Sequence, residues 1–219
     1  MSENKEKKQI QLVRGGKIPK MPKKNQYFWK PILGELPRGP AVAFIGATTL
    51  GKTNLMTHLL RDYFKDYYKI YIFSKNIHND TIWETNFKIK NKYLSSRYSV
   101  TKIRSILENQ LRIRNKLLRD DKNLKKFQPV LIILDDLLGS AGMMSKQSIG
   151  FLEALFTKNR HFNVVIWFSV QYYKSLSKII RQNILEWVLF TNDSDDDVKE
   201  MLKERTVNII YHLFPLTSP

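Results

Sequence analysis

The chain has no cysteine among its 219 residues, which excludes disulfides and thiolate metal sites. It has only four histidines, scattered and without cysteine partners, so no metal cluster is read from them. No run of about 18 apolar residues occurs, so no transmembrane helix is expected. The lysine-rich N-terminus lacks the apolar core of a secretory leader. No internal repeat is visible. Acidic residues are scarce: 20 Asp and Glu stand against 37 Lys and Arg, a formal net charge of +17.

That charge is uneven. Residues 1–30 hold nine basic and two acidic groups, and residues 61–126 hold seventeen and seven. Residues 127–219 are almost balanced, with nine and ten. A field of this sign and clustering favours a polyanion such as DNA, RNA or an acidic membrane surface.

Residues 1–30 read as a basic flexible arm, broken by Gly15, Gly16, Pro19 and Pro22. Its aromatic end, QYFWK at 26–30, reads as a docking knot or a base-stacking platform. Residues 31–219 read as one α/β domain, with 75–126 as a basic insertion. Short apolar runs predict buried strands: PAVAFIG, KIYIFS (69–74), PVLIILDD (129–136), NVVIWFSVQ (163–171) and EWVLF. VNIIYHLF adds an edge strand. Helices are expected over 52–64, near Trp83, over 101–119, over 145–159, over KSLSKIIRQN (174–183), and from the acidic start DSDDD. On 101–119 the residues Ile103, Ile106, Leu107, Leu111, Leu117 and Leu118 are expected to form one buried stripe. Strands alternating with helices imply a mainly parallel sheet flanked by helices.

The chemistry concentrates in GATTLGKT. Gly46, Ala47, Thr48, Thr49, Leu50, Gly51, Lys52 and Thr53 satisfy G-x-x-x-x-G-K-[ST] between a strand and a helix, with Asn54 following. In such a loop, backbone N–H groups at a positive helix end wrap phosphates. Lys52 would reach the β- and γ-phosphates of ATP, and the Thr53 hydroxyl would coordinate Mg²⁺. About 80 residues later, Asp135 and Asp136 end an apolar strand. We assign Asp135 to the metal and Asp136 to activating the attacking water. Gln171 ends the next strand and would sense the γ-phosphate if that strand neighbours the first. Arg160 and Arg181 are two candidate fingers for transition-state charge; either can instead bind within its own fold. His161 reads as a packing or capping residue.

The order of these blocks, above all KNRHFNVVIWFSVQYYKSLSKIIRQN with its Arg-His, strand-end Gln, tyrosines and Ile-Arg-x-Asn, carries a resemblance. It resembles the genome-packaging ATPases of poxvirus-like and giant DNA viruses, within the FtsK–HerA superfamily, over residues 41–190. The resemblance implies a RecA-like P-loop NTPase core and a homo-oligomeric ring, pentamer or hexamer. It also implies ATP-driven pumping of double-stranded DNA into a preformed capsid, with a capsid or portal partner. A viral assembly site in the host cytoplasm, or the virion, is the implied location. Thr49 and Leu50 depart from the Gly and Ser usual in such loops, and Thr49 is expected to carry strain. Competing functions are a replication helicase or initiator ATPase, a small-molecule kinase, and a non-enzymatic surface protein. An unbroken Lys52, Thr53, Asp135, Asp136 set argues against the last.

Overall fold

The computed structural model describes residues 39–61, 69–77, 83, 89, 91–120, 127–137, 145–190 and 210–211. The basic arm, its aromatic stretch and the acidic-start helix lie outside the described residues.

Seven strands form one sheet: β1 (Ala41–Ile45), β2 (Lys69–Ser74), β3 (Leu94–Ser95), β4 (Val130–Asp135), β5 (Val164–Val170), β6 (Glu186–Leu189) and β7 (Ile210–Tyr211). Their order is β3-β2-β4-β5-β1-β6-β7, and every pairing is parallel. A parallel sheet needs a crossover at each step and is covered on both faces, so its strands read as unbroken apolar runs. All residues of β1, β4 and β5 are buried accordingly.

Helices α1 (Lys52–Leu59), α2 (Val100–Arg119), α3 (Lys146–Lys158) and α4 (Lys178–Asn183) cover it. On one face Val42, Phe44, Ile133 and Trp167 pack with Met56 and Leu59 of α1. On the other, Ala43, Ile132, Leu134 and Ile166 meet Ile103 of α2, Leu152 of α3 and Ile180 of α4. Each fully buried side chain of this size contributes about 1.5–3 kcal/mol.

The helix starts are sequence-encoded. The hydroxyls of Ser99, Ser145 and Ser177 accept from the N–H groups of Lys102, Ser148 and Ile180 at 3.2, 3.1 and 3.4 Å. These bonds satisfy donors that a helix leaves unpaired in its first turn. The stretch 174–183 is not one helix: Tyr173–Ser175 is a 3-10 turn, and α4 begins only after the Ser177 cap.

The stripe on α2 is only half realised. Ile103, Ile106 and Leu107 are buried, but Leu111 and Leu118 are 38% and 51% exposed. Length explains this: twenty residues of helix run about 30 Å, against roughly 20 Å for a six-residue strand, so α2 outruns the sheet. Where the overlap ends, Gln110 turns inward instead, and its Nε2 donates to the carbonyls of Gln128 (3.1 Å) and Phe162 (3.2 Å).

Candidate nucleotide site

The loop after β1 is held open by three local devices. Gly51, at φ 85°, is the left-handed N-cap of α1 and gives it no side-chain cap. The first turn of α1 carries no acidic side chain, so its N–H groups and positive end face the loop. Gly46 has no room for a side chain: a Cβ there would lie 2.6 Å from the Phe190 Cβ. Leu50 packs against the cluster beneath α1 and lies beside Gly46, so it anchors the loop's back. Thr49 adopts φ 74°, the strained conformation that its position led us to expect.

Lys52 is buried, and its Nζ donates to the Gly46 and Ala47 carbonyls, each at 2.7 Å. Burial lowers the lysine pKa, and the carboxylates of Asp136 and then Asp135 work against that shift. The Thr53 hydroxyl donates to Asp135 at 3.1 Å (Oδ2) and 3.3 Å (Oδ1). The strand order makes this contact possible, because β4 and β1 flank β5 with their C-terminal ends level. A cleft of about 280 Å³ runs between the loop and the strand ends, lined by Thr48, Thr49, Lys52, Thr53, Asn54, Asp135 and Asp136.

The two carboxylates have different surroundings. Asp135 is buried, and its pKa is raised, by burial first. Hydrogen bonds from Ser169, Thr53 and Trp83 pull the other way, while the Asp136 charge adds to the rise. Asp136 leaves the strand at φ 49°, a backbone strain of the kind that accumulates at functional sites. Its carboxylate Oδ1 accepts from Gln171 Nε2 at 3.4 Å. Gln171 follows β5, which does lie beside β1, and so it sits between the loop and Asp136.

The sequence reading missed Ser169, Ser74 and Asn76. The Ser169 hydroxyl donates to Asp135 Oδ1 at 2.8 Å and accepts the Asp136 N–H at 2.8 Å, so one side chain ties both acids together. Ser74 reaches Asp135 Oδ2 at 3.5 Å, and Asn76 lines the cleft. Ser169 had a signal: it is a lone hydroxyl inside VVIWFSV, and a buried polar group implies a partner.

The arginines lie elsewhere. Arg160 is exposed on the 3-10 turn Asn159–Phe162, at the opposite end of the sheet from the loop. Arg181 is engaged within its own fold, with Nη1 donating to the Leu176 carbonyl (2.8 Å) and the guanidinium 4.9 Å from the Tyr173 ring centre. His161 is exposed on the same turn. Beside it, Asn159 donates to the Gly39 carbonyl, and Asn163 Nδ2 donates to the Phe127 carbonyl at 2.9 Å.

A parallel sheet with a glycine-lysine-threonine loop after an interior strand, and a carboxylate pair two strands away, is the arrangement of a P-loop NTPase with its nucleotide-binding site. The family described as Poxvirus A32 protein matches residues 37–213, and the chain belongs to it. The resemblance to poxvirus-like proteins read from the sequence agrees with that match. No curated protein matches the chain.

Solved structures share the fold, three of them as follows. One is the pCW3 conjugation coupling protein TcpA with ATPγS: 14% identical, TM-score 0.54, covering 76% of this chain and 52% of that one. A second is the genome packaging NTPase B204 from Sulfolobus turreted icosahedral virus 2 with AMPPCP: 16% identical, TM-score 0.52, covering 78% and 89%. The third is EssC (ATPases 2 and 3) from Geobacillus thermodenitrificans: 10% identical, TM-score 0.53, covering 78% and 36%. The chain thus spans about half of TcpA and about a third of that EssC chain. Among the described residues, no helix is long and apolar enough to cross a membrane.

Proposed function

We propose that this chain is a Mg²⁺-dependent ATPase that translocates double-stranded DNA, and that it packages a viral genome into a preformed capsid. The observation that carries the reading is the Thr53–Asp135 contact across the cleft, with Gln171 against Asp136 beside it.

The residues present fit a magnesium ion. The Thr53 hydroxyl and an Asp135 carboxylate oxygen meet at 3.1 Å, and both are hard oxygen donors of the kind magnesium takes. Thr53 and Asp135 would hold the ion, which when bound neutralises charge on the β- and γ-phosphates. The protein's own groups do the rest. Lys52 exchanges its two carbonyl partners for phosphate oxygens, and the loop N–H groups from Ala47 to Asn54 wrap the phosphates. Asp136 takes a proton from the attacking water, and Gln171 orients that water while registering the γ-phosphate. Ser169 fixes the spacing of the two acids during the step.

Subunits are proposed to assemble as a ring of five or six. Arg160, exposed at the far end of the sheet, is the finger available to a neighbour, and Arg181 serves its own fold. The basic stretch 75–126 and the arm 1–30 supply attraction to the phosphate backbone, and a capsid or portal protein receives the motor. The site of action is a viral assembly site or the virion.

Phosphate release with and without duplex DNA tests the reading. Wild type should turn over ATP faster with duplex, and the gain should fade as salt rises. Lys52→Ala should stop turnover while keeping the wild-type circular dichroism spectrum. Turnover at the wild-type rate in that variant would remove the site assignment. Unwinding of forked DNA would move the function to a helicase.

A further inference from the structure

The turn after β5 has a feature the nucleotide site does not use. Tyr172 is 59% exposed, the most exposed large hydrophobic among the described residues. Its mount is nonetheless rigid. The Tyr172 carbonyl accepts from Ser175 through both Oγ (2.6 Å) and N–H (3.2 Å), which closes the 3-10 turn. The next residue, Tyr173, is 1% exposed and packs against Trp187 with ring centres 5.1 Å apart. On its other side Tyr172 is bonded directly to Gln171, whose side chain reaches Asp136 at 3.4 Å.

Charge points to the partner. From Gln171 to Leu185 the chain has Lys174, Lys178 and Arg181 and no acidic residue, and both lysines are exposed. This basic run stands inside residues 127–219, a part of the chain with no excess of basic groups. A phosphate backbone is a good electrostatic complement to such a patch. A tyrosine presents a hydroxyl to phosphate and a ring to sugar or base, at little cost in side-chain entropy.

We propose that this turn contacts duplex DNA, and that Tyr172 is a positioning residue that transmits contact to hydrolysis through Gln171. The proposal rests on the DNA-translocating reading above. Pressure on Tyr172 moves a backbone shared with Gln171. The 3.4 Å bond from Gln171 to Asp136 is long, so a small shift there changes how the water is held. The turn itself does not yield, because Tyr173 is locked in the core.

The test uses the full chain and a duplex of random sequence. Steady-state phosphate release is measured against DNA concentration at low and high salt, with light scattering for oligomeric state. Tyr172→Ala should keep DNA-free turnover within about twofold and lose roughly fivefold or more of the DNA-stimulated increment, as loss of a hydrogen bond to a charged phosphate does. Lys178→Glu should raise the duplex concentration for half-stimulation, and the difference should shrink with salt. Full stimulation in Tyr172→Ala overturns this inference alone. DNA-free turnover falling tenfold makes Tyr172 part of the scaffold and overturns it as well. A changed oligomeric state assigns the turn to a subunit contact, with the same consequence. A wild type indifferent to duplex overturns the translocating reading and this inference together.

Discussion

The two ends of the sheet handle buried polar groups in opposite ways. At the C-terminal ends of β1, β4 and β5, charged groups face one another through hydroxyls: Thr53 and Ser169 on Asp135, Ser169 again on the Asp136 N–H, Gln171 on Asp136. Thr53, Asp135 and Asp136 among them line a cleft. At the N-terminal ends, neutral amides of Gln110, Asn159 and Asn163 donate to backbone carbonyls, and the Asn163 Oδ1 is buried without a partner. One end opens on a cleft, and the other packs its amides against backbone. Glu186, at the start of β6, breaks the pattern. It is 2% exposed, both its carboxylate oxygens are buried without a hydrogen-bond partner, and burial pushes its pKa up to about 7.

The contrast can be broken most severely at the cleft. Asp136→Asn keeps the shape and removes the proposed base, so single-turnover phosphate release should fall by about 10²–10⁴ with nucleotide still bound. A loss under tenfold would mean that Asp136 is scaffold too.

Glu186 tests the opposite end through pH. Its carboxyl keeps its proton to about 7 in the fold and releases it near 4.5 in the unfolded chain. The folded state therefore binds more protons between these values, and stability should fall as pH rises through that window. The whole drop is about 3 kcal/mol, complete above the folded pKa. Urea unfolding at pH 5 and pH 8 measures it, and Glu186→Gln should flatten the difference. An equal slope in the variant would place the titration elsewhere.

Asn159→Ala strips a buried bond to the Gly39 carbonyl. It should cost about 1–3 kcal/mol in urea unfolding and leave turnover per folded molecule unchanged. The smallest effect is expected at Thr49, where φ is 74°. Thr49→Gly relieves a left-handed residue but frees the unfolded chain, a net gain of roughly 1 kcal/mol or less. A drop in melting temperature would show that the threonine is not strained.

The sequence carries some of this directly. Buried parallel strands read as apolar runs, and all five such runs lie where strands form. Gly46 to Thr53 reads as a phosphate loop because loop and helix are local in sequence. What pairs across strands is not local. Ser169 acquires meaning only once β5 is known to lie between β4 and β1, and spacing along the chain does not encode that order. Leu111 and Leu118 fit the helical period, yet their burial depends on how far the sheet extends beneath the helix. Leu50 looked like a foreign residue in the loop, and its contact with the cluster below shows an apolar anchor instead.

The all-parallel sheet also sets an order of events during synthesis. No strand can pair with the next by a tight hairpin, so each must wait for a crossover. Ala41 pairs with Ile166, and the Gly46 N–H donates to the Val170 carbonyl, so more than a hundred residues separate the two halves of the loop's support. A ribosome that has released only the first 160 residues holds the whole glycine-lysine-threonine sequence without the strand that seats it. The power to grip a phosphate therefore arrives late, after the most basic part of the chain has already emerged.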